Sequence, residues 1–97
     1  MSLKDFIIDK IDNIFKKKKN LIIIIHIKNI QELNIISSIF KLSNYTMNDI
    51  ISSGKIYIDN KYNILTSNHI KMLFFDNYEI YLSELLIKYK LYQINLW

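Results

Sequence analysis

Seven side chains between positions 41 and 61 share one kind of chemistry: Lys41, Ser43, Asn44, Thr46, Asn48, Lys55 and Lys61. Lysine ammonium groups approach phosphates as mobile point charges. Hydroxyls and carboxamides hydrogen-bond phosphate and 2′-hydroxyl oxygens, and an exposed helix amino terminus adds partial positive charge. Such a set suits holding a polyanion rather than making or breaking bonds. Taken singly, each member has a plainer role, since Ser43 is a good helix amino-cap and an isolated lysine is an ordinary solvated charge. Only convergence on one surface would make them a site.

Bond-making chemistry has no foothold in the sequence. There is no Gly-rich phosphate loop, no paired carboxylates within a recognisable motif, and no Ser-His-Asp or His-Glu spacing. Without cysteine there is neither a disulfide framework nor thiolate chemistry, and the isolated His26 and His69 do not make a metal cluster. The expectation is therefore a binding protein with no catalytic residues, cofactor or metal. Seven tyrosines offer stacking surfaces, of which Tyr45 and Tyr62 lie nearest the polar set. Core packing is the expected role of most of them.

The 97 residues, half of them hydrophobic, fit one domain with one core. Valine, alanine, arginine, proline and cysteine are absent, and isoleucine, lysine, asparagine and tyrosine are abundant. These are the amino acids of A/T-rich codons, which points to an A/T-rich genome such as that of an organelle, parasite or virus. The net charge of +4 favours anionic partners. "LIIIIHI" is far shorter than the roughly 20 residues that span a bilayer, so a soluble chain without a membrane partner is expected. Asp5, Asp9 and Asp12 make the amino-terminal segment atypical of a mitochondrial import peptide.

The elements that must position the polar set follow from periodicity and caps. Phe6, Ile7, Ile11, Ile14 and Phe15 recur at helical spacing over residues 3–17, and the lysine run 16–19 suits the helix's negative end. "NLIIIIHIK" predicts a buried strand. Leu33, Ile36, Ile39 and Phe40 mark a helix over 30–42, and Ser43 caps a shorter one whose inner face is Met47, Ile50 and Ile51. Gly54, the only glycine, falls where that helix must stop and reverse through a left-handed residue. Residues 55–65 alternate about Asp59-Asn60 and predict a tight hairpin. The apolar run Ile70 to Phe75 is expected to turn at Asp76-Asn77 and return as "YEIYL". The tail "SELLIKYKLYQINLW" reads as helical in its first half and alternating in its second.

Two short helices, a glycine stop, a strand, an Asn-containing turn followed by a basic residue, and a later strand near an acidic turn resemble the alpha-L RNA-binding domain, the family of small-subunit ribosomal protein S-four. "NDIISSGKIYIDNKYNILTSNHI" carries the resemblance, which spans residues 30–82. Asp59-Asn60 stands in place of the family's Asn-Gly. Asn44 and Asn48 stand where phosphate-gripping arginines are expected, and Glu32 is the nearest counterpart of an acidic residue at the first helix. The resemblance implies an α+β fold of short helices on a small antiparallel sheet. It divides the chain into an amino-terminal helix-and-strand extension (1–29), an RNA-binding domain (30–82) and a tail (83–97) docking on neighbouring ribosomal proteins. It further implies a structural, ribosomal-RNA-binding protein of the small subunit, in an organelle-encoded mitochondrial ribosome or otherwise cytoplasmic. The named lysines, Ser43, Thr46 and the two asparagines would be its RNA contacts. Two other classes share these local elements: a winged-helix DNA-binding protein of a virus or plasmid, and a protein-interaction subunit that touches no nucleic acid.

Overall fold

The computed structural model describes residues 1–18, 20–65 and 76–95. Ser2 opens helix α1 (Leu3–Lys17) by accepting a hydrogen bond from the Asp5 amide at 3.1 Å, and Lys16 and Lys17 close it. An anion in the first turn and cations in the last both complement the helix dipole. Strand β1 (Leu21–His26) follows, then helix α2 (Ile30–Phe40). The start of α2 is a capping arrangement: Asn29 Oδ1 accepts from the Glu32 amide and Glu32 Oε1 accepts from the Lys28 amide, each at 3.0 Å. Glu32 is 6% exposed, so the bond its Oε1 accepts from the Lys28 amide matters for satisfying a buried carboxylate.

Helix α3 (Asn44–Ser53) begins at Ser43 and ends at Gly54 as expected. Gly54 is left-handed (φ 70°); its N–H donates to Ile50 O at 2.7 Å and its carbonyl accepts from Ile27 N at 2.8 Å. A Cβ here would meet only Ile27 O, at an ordinary 3.6 Å, so the need for glycine lies in the backbone angle and not in space. On α3 the expected inner face is trimmed, because Ile50 is buried and Met47 partly so, whereas Ile51 is 59% exposed.

Strands β2 (Lys55–Ile58) and β3 (Ile64–Leu65) form the expected hairpin with a different turn. Five residues connect the strands in place of a two-residue Asp-Asn reversal. Asp59 organises them: Oδ1 accepts from the Lys61 and Asn63 amides at 2.9 and 2.8 Å, and Oδ2 accepts from Asn63 Nδ2 at 3.1 Å. The left-handed residue of the loop is Tyr62 (φ 64°), held by its N–H to Asp59 O at 3.0 Å. Asp and Asn commonly build turns through side-chain acceptance of this kind.

Asp76 and Asn77, expected to turn, instead begin strand β4 (Asp76–Tyr81), and helix α4 (Leu82–Ile94) follows at once. The alternating second half read in the tail is helical through Ile94. The run Ile70 to Phe75 lies outside the described residues. The sheet order is β3-β2-β1-β4. β1 pairs antiparallel with β2 (Ile25 opposite Ile56) and parallel with β4 (Ile25 beside Ile80), so the expected antiparallel sheet is mixed.

This is an α+β fold of four helices and four strands among the described residues. Leu21, Ile23 and Ile25 of β1 join Ile56, Ile58 and Ile80 in one cluster. Every helix contributes to it, through Ile7 and Ile11, Leu33 and Ile36, Ile50, and Leu82 and Leu85. α1, β1 and α4 thus share one core with α2, α3, β2 and β4. α4 runs alongside α1, its Tyr89 and Tyr92 rings 5.2 and 5.8 Å from that of Phe6. Because the Gly54 requirement is conformational, Gly54→Ala should lower stability by about 1 kcal/mol or more, and Gly54→Asn by less, since asparagine tolerates left-handed angles. Equilibrium denaturation of the two variants checks the order; equal losses would point to a steric cause instead.

Candidate nucleic-acid interface

Three connections meet at one end of the sheet: α1 to β1, α2 to α3, and β2 to β3. Tyr62 draws them together. Its ring lies 6.1 Å from Phe15 of α1 in an edge-on contact (77°) and 6.3 Å from Phe40 of α2 in a near-parallel one (25°). Its hydroxyl donates to Asp12 Oδ1. Aromatic contacts of this geometry add to the benefit of burial, and the half-buried hydroxyl has its partner.

Each of these connections carries lysine. Lys16, Lys17 and Lys18 stand exposed after Phe15, Lys41 directly after Phe40, and Lys61 directly before Tyr62. The contacts of Tyr62 therefore bring Lys41 and Lys61 to one end with the lysine run. Lys18 Nζ pairs with Asp76 Oδ2 at 2.7 Å, but both side chains are more than half exposed, so the pair is weak and exchangeable. Asn20, Asp59, Asn60, Lys61 and Asn63 line an open groove of about 470 Å³ between the α1–β1 turn and the hairpin loop. The Asp59 carboxylate is turned to the loop's own amides.

Lys41 has left-handed angles (φ 51°, ψ 62°) as the carboxyl cap of α2, and Asn20 (φ 56°) does the same before β1. With Tyr62, all three non-glycine residues of positive φ among those described sit at this end. A side chain in that region costs about 1–2 kcal/mol relative to ordinary angles.

The expected contact residues divide three ways. Lys41, Lys61, Asn44 and Asn48 are exposed, and the two asparagines lie one turn apart on the same side of α3. Ser43 and Thr46 are engaged with each other: their hydroxyls are 2.9 Å apart and Ser43 Oγ accepts from the Thr46 amide at 3.2 Å, so both serve as the cap of α3. Lys55 is not part of the group. It begins β2 opposite His26, at the other end of the sheet from the hairpin loop.

That other end holds His26, whose Nε2 donates to Glu79 Oε1 at 2.8 Å and whose ring stacks on Tyr81 at 4.3 Å and 12°. No nucleophile joins this pair in any described contact. No group of three metal-ligating side chains occurs among the described residues, and none of their helices is long and apolar enough to cross a membrane. Sequence reasoning missed the lysine run as part of the site, reading it as a helix end, and missed Tyr62 as the hub. The run of consecutive lysines is itself a local signal of a basic surface, whereas the role of Tyr62 depends on chain segments far apart in sequence.

No protein-family model matches the chain, and no curated protein or solved structure shows significant similarity to it.

If Tyr62 holds the three connections together, Tyr62→Phe should cost about 1–2 kcal/mol, the worth of its hydrogen bond to a carboxylate. Tyr62→Ala should cost about 2–4 kcal/mol by also removing the ring from between Phe15 and Phe40. Thermal and urea unfolding measure both. An alanine variant no worse than the phenylalanine one would show that the ring contacts contribute nothing.

Proposed function

We propose that this chain is an RNA-binding protein that holds folded RNA by its phosphates across the lysine-bearing end of the sheet. The observation that carries this reading is that Lys16, Lys41 and Lys61, from three separate segments, lie exposed at the end of the sheet that Phe15, Phe40 and Tyr62 tie together. Solvated lysines from separate segments repel one another, so their assembly on one end is favoured when an anion is shared among them. The binding is physical and non-catalytic: lysines neutralise phosphates and the amides of Asn44 and Asn48 meet sugar or base edges.

The resemblance of residues 30–82 to the alpha-L domain, together with the A/T-rich composition, supports a finer proposal. On it the chain is a small-subunit ribosomal protein of an organelle such as the mitochondrion, scaffolding a ribosomal RNA junction. The outer side of α4 would then take a neighbouring protein, as Ile87, Leu91 and Ile94 are each more than half exposed there.

Substituting Lys16, Lys41 and Lys61 together by Gln should weaken binding to a folded RNA junction and flatten its salt dependence. The logarithmic salt slope should fall by about 0.7 to 0.9 for each phosphate that is no longer neutralised. Lys55→Gln should leave the slope unchanged, and neither change should lower stability much, because these side chains lie on the surface. A wild-type protein that prefers duplex DNA or binds no nucleic acid would overturn the reading, as would a triple variant with an unaltered slope.

A further inference from the structure

We propose that the RNA held at this end carries an unpaired base, and that this base stacks on Tyr45. The inference rests on the RNA-binding reading and specifies which RNA. Most of the other tyrosines are already engaged. Tyr62 is occupied by Phe15, Phe40 and Asp12; Tyr89 and Tyr92 pack with Phe6; Tyr81 stacks on His26. Tyr57 is partly buried in β2, and Tyr78 is 49% exposed on β4.

Tyr45 differs from all of them. It is 71% exposed, the highest value among the large apolar side chains of the described residues, and no described ring lies against it. It stands in the first turn of α3, four residues after Lys41 and just beyond the connection that Phe40 ties to the hairpin loop of Lys61.

A ring left in water four residues after Lys41, at the same end of the sheet as Lys61, is suited to a base. Every nucleobase offers a π face, and stacking on an aromatic side chain is strong and tolerant of sequence. A base within a duplex is already stacked on both faces, so only an unpaired one can use the ring. Asn48 is one turn further along α3, at a spacing that makes it a neighbour of Tyr45. Its carboxamide both donates and accepts, so it can meet the edge of any base. The lysines supply sequence-independent attachment and Tyr45 the preference for an unpaired nucleotide.

The experiment compares three labelled RNA hairpins, each closed by a base-free linker in place of loop nucleotides: one with a single bulged nucleotide, one with the same bulge abasic, and one with a fully paired stem. Wild-type protein should bind the bulged hairpin about 10-fold more tightly than the other two. Tyr45→Ala should lose that preference while keeping its salt slope and its melting temperature, and Tyr45→Phe and Tyr45→Trp should retain the preference. Equal wild-type affinity for the three hairpins, with an intact salt slope, would overturn the stacking inference and leave the RNA-binding reading standing. Retention of the preference by Tyr45→Ala would do the same, placing the base elsewhere. Failure to bind any hairpin would overturn both.

Discussion

Strand β1 must be buried on both faces and paired on both edges, and most of the architecture follows from that demand. Leu21 through Ile25 are five consecutive aliphatics, none more than 7% exposed. Alternate residues of a strand point to opposite faces, so such a run has no side to offer water. Leu21, Ile23 and Ile25 are covered by the four-helix cluster, and Ile22 and Ile24 are buried on the reverse face. On its edges the strand takes β2 antiparallel and β4 parallel, which places β1 at the centre and sends the connections to the two ends of the sheet. The lysine-bearing end is one of these.

What the sequence made legible were features governed by neighbouring residues. The caps at Ser43 and Gly54 came out as their chemistry dictates, because a cap is settled within four residues. β1 was legible from its unbroken aliphatic run. The parallel pairing of β4 was not, since it joins segments more than half the chain apart and leaves no local periodic trace. Asp76 and Asn77 looked like a turn because their side chains favour turns, yet the pairing with β1 overrides that preference. The hairpin turn was misread for a related reason: Asp59 works through its carboxylate and leaves the left-handed angle to Tyr62, a residue with no visible preference for it.

The candidate site was legible as an inventory but not as an arrangement. Lys41, Lys61, Asn44 and Asn48 are exposed, while Ser43 and Thr46 satisfy each other and Lys55 belongs to the opposite end. A glycine-poor composition hides the tight connections as well. Asn20, Lys41 and Tyr62 adopt angles that glycine would adopt more cheaply, and the fold tolerates them because packing around Tyr62 fixes the path of the chain. The flexible lysine stems are thus mounted on backbone that is itself tightly specified.

The lysines that precede β1 also bear on how the chain survives before it has folded. "LIIIIHI" has high strand preference, no proline and almost no charge, the composition of segments that assemble into intermolecular sheets. Its edge toward β4 stays unpaired until a partner from the distant carboxyl-terminal third arrives, a slow, long-range closure. During that interval Lys16, Lys17 and Lys18 lie directly upstream and repel a second copy trying to align in register, as gatekeeper charges do beside unavoidable aliphatic strands. A variant with these lysines neutralised would carry an unguarded aggregation nucleus, however well its native state resisted unfolding.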